Sequence, residues 1–182
     1  LFRSGGRAVS TRADILVYDS GLGGLTVFRE IAKARPNARY RYVADDAVFP
    51  IGELAEDALV ARVFEVLRPL IAARKPDVIV IACNTASTLV LPPLRAAFAD
   101  IAFVGTVPAV KPAAERSRSH MISVLATPGT VKRDYTRKLI DDFAGHCDVT
   151  CVGARRLATL AENFARGLPV ADADILAEIA PC

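Results

Sequence analysis

Short apolar runs alternate along the chain with longer stretches in which apolar and polar residues recur at helical spacing. The runs at 15–18, 40–44, 78–82, 102–105, 122–126 and 149–152 predict strands, and the amphipathic stretches at 24–34, 54–73, 86–97, 110–118, 131–143, 155–166 and 172–179 predict helices. Strands alternating with helices of this length build βαβ units, in which each crossover lays a helix on the face of a parallel sheet. The expected fold is α/β with parallel-sheet βαβ architecture. Three of the strands end alike, because Tyr18 runs into Asp19, Ser20 and Gly21, Ala82 into Cys83, Asn84 and Thr85, and Ala126 into Thr127, Pro128, Gly129 and Thr130. One such end is ordinary helix capping. Three at equivalent ends predict a shared polar pocket at the carboxyl edge of the sheet, where open α/β folds bind their ligands.

A chain of 182 residues is one domain or two small ones. The seam is expected at 98–103, where Asp100 follows a helix and a new βα series starts, giving a first α/β domain over 14–98 and a second over 99–182. Residues 1–13 hold Arg3, Arg7 and Arg12 and no acid. They read as a flexible basic tail; transit peptides share this Arg, Ser and Gly content, but a solvated extension is the simpler reading. The first residue is Leu1 and not Met, as in a fragment.

The tail also accounts for the net charge of +3, because the remaining chain carries 20 basic and 20 acidic residues. A neutral body offers no basic face for nucleic acid. No apolar run approaches the ~18 residues of a membrane span, and the N-terminus has no apolar signal core, so a soluble cytoplasmic protein is expected. Cys83, Cys147, Cys151 and Cys182 form no CxxC pair and are too sparse for a disulfide scaffold. With His120 and His146 as the only histidines, both read as surface residues, a metal site is not expected. Free thiols in a reducing compartment remain, so a special cysteine would be special through reactivity.

Cys83 is the first candidate, delivered by the apolar run Val78, Ile79, Val80, Ile81, Ala82 to the start of a helix. It is either a buried structural thiol before an ordinary cap or a reactive one whose pKa a helix N-terminus draws toward neutrality. Nucleophilic cysteines generally need a histidine base, and neither histidine sits at a strand end, so a thiolate that removes a proton from carbon fits better. The loop Asp19, Ser20, Gly21, Leu22, Gly23, Gly24, Leu25, Thr26 is either a tight turn capped by Ser20 or a cradle for a carboxylate or phosphate. It lacks the third glycine of a dinucleotide fingerprint and the lysine of a P-loop. Thr127 and Thr130 read equally as turn residues around Pro128 and Gly129, and Glu162 as a solvated helix position.

Taken in order, Asp19 to Val27, then Pro50, Ile51, Gly52, then Ala82 to Ser87, then Leu125 to Val131 resemble the glutamate racemases of the aspartate/glutamate racemase superfamily. The resemblance runs from about Ile15 to at least Glu162. It implies two similar α/β domains and a cofactor-independent interconversion of L- and D-glutamate, supplying D-glutamate for peptidoglycan. In that reaction one thiolate removes the α-proton and a second thiol returns a proton from the opposite face. Carried over by motif, Cys83 is one acid/base thiol, and Asp19 and Ser20 lie beside it and contact substrate. Ile51, Gly52, Asn84 and Thr85 would hold the amino acid's polar groups, Thr127 and Thr130 its carboxylates, and Glu162 would sit near the catalytic pair. A homodimer is compatible with the resemblance.

Two departures stand against it. Pro50, Ile51, Gly52 replaces the family's Pro-Tyr-Gly, exchanging a phenol for an aliphatic group. The family's second catalytic cysteine lies in a Cys-Thr-His segment that does not occur in this sequence, so the second domain is expected to be incomplete. Cys182 has no Thr-His after it, and Cys147 and Cys151 read as core or surface thiols. A chain with half of a two-base site is not expected to racemise glutamate by itself, and the gene is expected to continue past Cys182. An aspartate or other amino-acid racemase, and an amino-acid-binding protein without turnover, are the alternative readings.

Overall fold

The computed structural model describes residues 12–182, so the expected basic tail lies almost wholly outside the described residues. All six expected strands form. β1 (Asp14–Asp19), β2 (Arg39–Ala44), β3 (Val78–Ile81) and β4 (Ala102–Gly105) make a parallel sheet in the order β2-β1-β3-β4. β5 (Met121–Ala126) and β6 (Asp148–Gly153) make a separate parallel pair. The helices are α1 (Leu25–Ala34), α2 (Glu56–Ala73), α3 (Asn84–Ala97), α4 (Val110–Arg116), α5 (Pro128–Lys132), α6 (Asp134–Ala144), α7 (Leu157–Ala165) and α8 (Asp172–Ile179).

Side chains alternate across a strand, and the four-stranded sheet uses both faces. Leu16, Tyr18, Ile79 and Ile81 point to one face and pack with Leu59, Val63 and Leu67 of α2 and Val90 and Leu94 of α3. Ile15, Val17, Val80 and Ala82 point to the other, against Val27, Phe28 and Ile31 of α1. The register keeps the two sets apart, pairing Leu16 with Ile79 and Tyr18 with Ile81. Every residue of β1 is buried, as expected of an inner strand of a sheet covered on both sides. The β5–β6 pair has a smaller core, in which Val124 packs with Val110 and Ala114 of α4 and Ala144 of α6.

Two differences from the expected elements position the site. β4 pairs with β3, so the first sheet extends through Gly105. The single helix expected over 131–143 is broken at Arg133, whose backbone is extended (φ −73°, ψ 145°). The Thr130 carbonyl there accepts the Thr136 hydroxyl at 2.6 Å, replacing part of the helical ladder that the break interrupts. The linker between β2 and α2 holds two short 3-10 turns, Asp46–Val48 and Ile51–Glu53. Among the described residues no helix is long and apolar enough to cross a membrane.

Candidate active site

The loops after β1, β3 and β5 meet around a cavity of about 540 Å³, so the three similar strand ends do converge. Asp19, Ser20, Ile51, Gly52, Cys83, Asn84, Thr85, Thr127 and Glu162 all line it. Thr130 does not; it is fully buried behind Thr127.

The β1 loop is organised by its acid. Asp19 is buried, and its Oδ2 accepts the amides of Gly21 at 3.1 Å and Gly24 at 3.0 Å. Gly24 is required sterically, because a Cβ there would come within 2.6 Å of the Asp19 Cβ and 2.8 Å of the Tyr42 hydroxyl. Tyr42 donates that hydroxyl to the Gly21 carbonyl at 3.0 Å, holding the loop from the β2 side. The loop is thus tightly bonded and still faces the cavity.

Cys83 occupies the position before α3, and its side chain makes no capping bond. Its Sγ lies 3.5 Å from Ser20 Oγ, and the residue is only 7% exposed. Burial pushes the thiol's pKa up, the Asp19 carboxylate pushes it further, and the Ser20 hydroxyl with the amides of Ala86 and Ser20 pulls partly back. The expectation that the helix start would draw this thiol toward neutrality is therefore corrected. Desolvation and a neighbouring negative charge outweigh the amides and raise the thiol's pKa.

Across the cavity the hydroxyls of Thr85, Thr127 and Thr130 form a closed ring. Thr85 and Thr127 are 3.2 Å apart, Thr127 and Thr130 2.9 Å, and Thr130 donates to Thr85 at 3.2 Å. Thr127 also caps α5, accepting the Thr130 amide. Capping and cavity lining therefore coexist in one residue. Gly52 presses against this ring, since a Cβ on it would sit 2.9 Å from Thr127 Oγ1. Ile51 contributes to the wall but is 2% exposed and belongs to the core around Leu59 and Cys83. An aliphatic side chain at that position is held by packing, without a polar contact to offer.

Glu162, on α7, is a buried wall residue and not a solvated one. Its Oε2 accepts the Leu22 amide at 3.0 Å, and Oε1 accepts from Arg166 at 3.3 Å. Arg166 also reaches Asp46, tying α7 to the linker after β2.

Arg133 does not line the cavity but braces its wall from behind, although nothing in the sequence singles it out. Its side chain is 6% exposed, and its guanidinium donates to the Thr85 carbonyl and, at 2.6 Å, to the Thr88 hydroxyl. Burial lowers its pKa, and the Glu56 carboxylate, 3.5 Å from Nε, opposes that. A residue inside an apparently continuous amphipathic helix gives no sign of such a role. Tyr42 is hidden for a similar reason, being one more aromatic in a strand.

Cys147 is half-buried, Cys151 and Cys182 are exposed, and none of the three lines the cavity. Among the described residues, Cys83 is the one thiol in its wall.

Residues 26–180 match the Asp/Glu/Hydantoin racemase family. Over 168 residues the chain is 58% identical to the glutamate racemase of Brucella anthropi, covering 92% of this chain and 60% of that protein. It is 56% identical to that of Agrobacterium fabrum, covering 62% of it. The chain thus spans about three fifths of the length of these curated relatives. Among solved structures, Escherichia coli glutamate racemase in complex with L-glutamate and the activator UDP-MurNAc-ala superposes with a TM-score of 0.88 at 40% identity, over 93% of this chain and 64% of that one. The glutamate racemase of Aquifex pyrophilus superposes at 0.69 with 34% identity, over 84% of this chain and 59% of that one.

Proposed function

The chain belongs to the Asp/Glu/Hydantoin racemase family, and from that premise we propose that its cavity binds glutamate and that Cys83 exchanges the α-proton without a cofactor, in a cytoplasmic enzyme that supplies D-glutamate for peptidoglycan. The observation that carries this reading is the Cys83 thiol set beside Ser20 and Asp19 in one cavity with Thr85 and Thr127.

Removing a proton next to a carboxylate puts negative charge on that carboxylate. The Thr85 and Thr127 hydroxyls line the cavity as donors for it, and α3 starts at the same wall, its Ala86 amide bonded to the Cys83 thiol. Asp19 takes both loop amides on Oδ2, which leaves Oδ1 to receive the substrate ammonium. Burial and the Asp19 carboxylate raise the thiol's pKa, and that cation offsets the second of these, which favours the thiolate that receives the α-proton when substrate is bound. Glu162 and Asn84 complete the wall, with Glu162 fixing the Leu22 amide.

Return of a proton to the opposite face of the α-carbon requires a second acid, and the wall contains one thiol. That same observation favours a second reading, in which the chain binds an amino acid without turning it over.

Incubation of the 182-residue chain with L- or D-glutamate in D₂O distinguishes them. The proposal expects loss of the α-proton NMR signal from one enantiomer, no steady racemisation, and no exchange in Cys83→Ala. Protection of Cys83 from iodoacetamide by glutamate without exchange supports the binding protein. Neither exchange nor protection overturns both readings, and exchange that survives in Cys83→Ala overturns the role given to that thiol.

A further inference from the structure

The chain's two histidines and one of its thiols meet at the end of the β5–β6 pair remote from the cavity. Parallel pairing brings this about. Met121 stands opposite Asp148, so His120, just before β5, and His146 and Cys147, just before β6, reach the same edge. The Asp148 amide donates to the His120 carbonyl at 2.7 Å, and the Cys147 amide to the Ala144 carbonyl at 2.9 Å, which fixes both turns. His120 has a φ of 56°, in the left-handed region that histidine enters more readily than most residues. The two imidazole rings lie 5.8 Å apart at 76°. One donor atom from each of His120, His146 and Cys147 lies within 4.8 Å of the other two.

We propose that His120, His146 and Cys147 bind a divalent transition-metal ion of the zinc type. Two imidazoles and a thiolate suit zinc and cobalt, whereas magnesium and calcium need oxygen donors. In a tetrahedral zinc shell, with bonds of about 2.0 Å to nitrogen and about 2.3 Å to sulfur, neighbouring donors sit about 3.3 to 3.6 Å apart. Side-chain rotation of about 1 Å closes the present spacing to that shell while the bonded turns stay in place. Both histidines are exposed, so water takes the fourth position.

The six residues of β5 separate this cluster from Thr127, a distance of about 20 Å at strand rise. The ion would take no part in chemistry at Cys83. It would clip the turn before β5 to the turn before β6, closing the loop that contains α5 and α6 in the lobe with the smaller core. The three ligands escape a spacing search because 26 positions separate His120 from His146. The metal site stands independently of the racemase reading.

Titration of the reduced chain with Co²⁺ tests it. Saturation at one ion per chain is expected, with a near-ultraviolet thiolate-to-cobalt charge-transfer band, visible bands of tetrahedral intensity, and displacement by Zn²⁺. Cys147→Ser should abolish the charge-transfer band, and His120→Ala and His146→Ala should each weaken binding by at least about tenfold. Cys151→Ser, four positions along the same strand, should leave the spectrum unchanged. Circular dichroism without metal checks that each variant is folded. Absence of the band in the unsubstituted chain, or its persistence in folded Cys147→Ser, overturns the proposal.

Discussion

The two sheets contribute unequally to one cavity. The four-stranded sheet is covered on both faces, and its inner strand β1 has no exposed residue. The β5–β6 pair has two strands, and Met121, Leu125 and Phe143 around it are exposed. A two-stranded pair is marginal unless something packs on it. Cys83, the thiol proposed to react, sits on the strongly buried side, and two of the three ring hydroxyls, those of Thr127 and Thr130, sit on the weaker side. The cavity therefore joins a wall backed by a large two-sided core to one backed by a small core.

Core truncation breaks the comparison most directly. Ile79→Ala, at a fully buried position of the large sheet, should cost about 3 to 4 kcal/mol, while Val124→Ala in the smaller core should cost about 2 kcal/mol. Urea unfolding followed by circular dichroism measures both, and equal costs would contradict the asymmetry. The seam comes next. Arg133→Met keeps the apolar stem but leaves the Thr85 carbonyl and Thr88 hydroxyl without their donor, for an expected loss of about 2 kcal/mol. Hydrogen exchange should quicken at the first turn of α3 and not in β1.

Gly52→Ala drives a methyl toward Thr127 from the opposite loop. A cost of about 1 kcal/mol is expected, together with weaker glutamate binding by calorimetry and little change in the Cys83 environment. The smallest effect is one of pH. The Cys83 thiol is held above its ordinary pKa in the folded chain, so its contribution is complete below about pH 8.5, where the unfolded thiol is also protonated. It declines as pH rises through the higher folded value, because only the unfolded thiol has ionised. In Cys83→Ser the alkaline fall of the thermal midpoint should begin later, at about pH 10, where Tyr18 and Tyr42, both raised by burial, take over.

The strands were legible because buried parallel strands are uninterrupted apolar runs, and 78–82 could be nothing else. The convergence of Asp19, Cys83 and Thr127 was legible from the small polar residues that follow each of their strands. Arg133 was not, since the break between α5 and α6 comes from bonds to α3, 45 positions or more away in the chain. Nor was the direction of the Cys83 pKa, which depends on how completely Tyr18, Ile51 and Ala86 enclose the thiol. The place of β4 in the first sheet was hidden too, because periodicity identifies a strand but not its neighbour. Local pattern carries the elements, and contacts between distant segments decide their bends and charges.

The threonine ring has a further consequence. Three hydroxyls bring three protons, and a closed circuit of three contacts uses all of them. An arriving group can be offered a proton only if one contact opens. A carboxylate, with full negative charge, repays that opening through a charge-assisted bond about twice as strong as the neutral one it replaces, whereas an uncharged amide of the same shape does not. The ring is a threshold set by charge, which an anionic group crosses and a neutral group of the same shape does not.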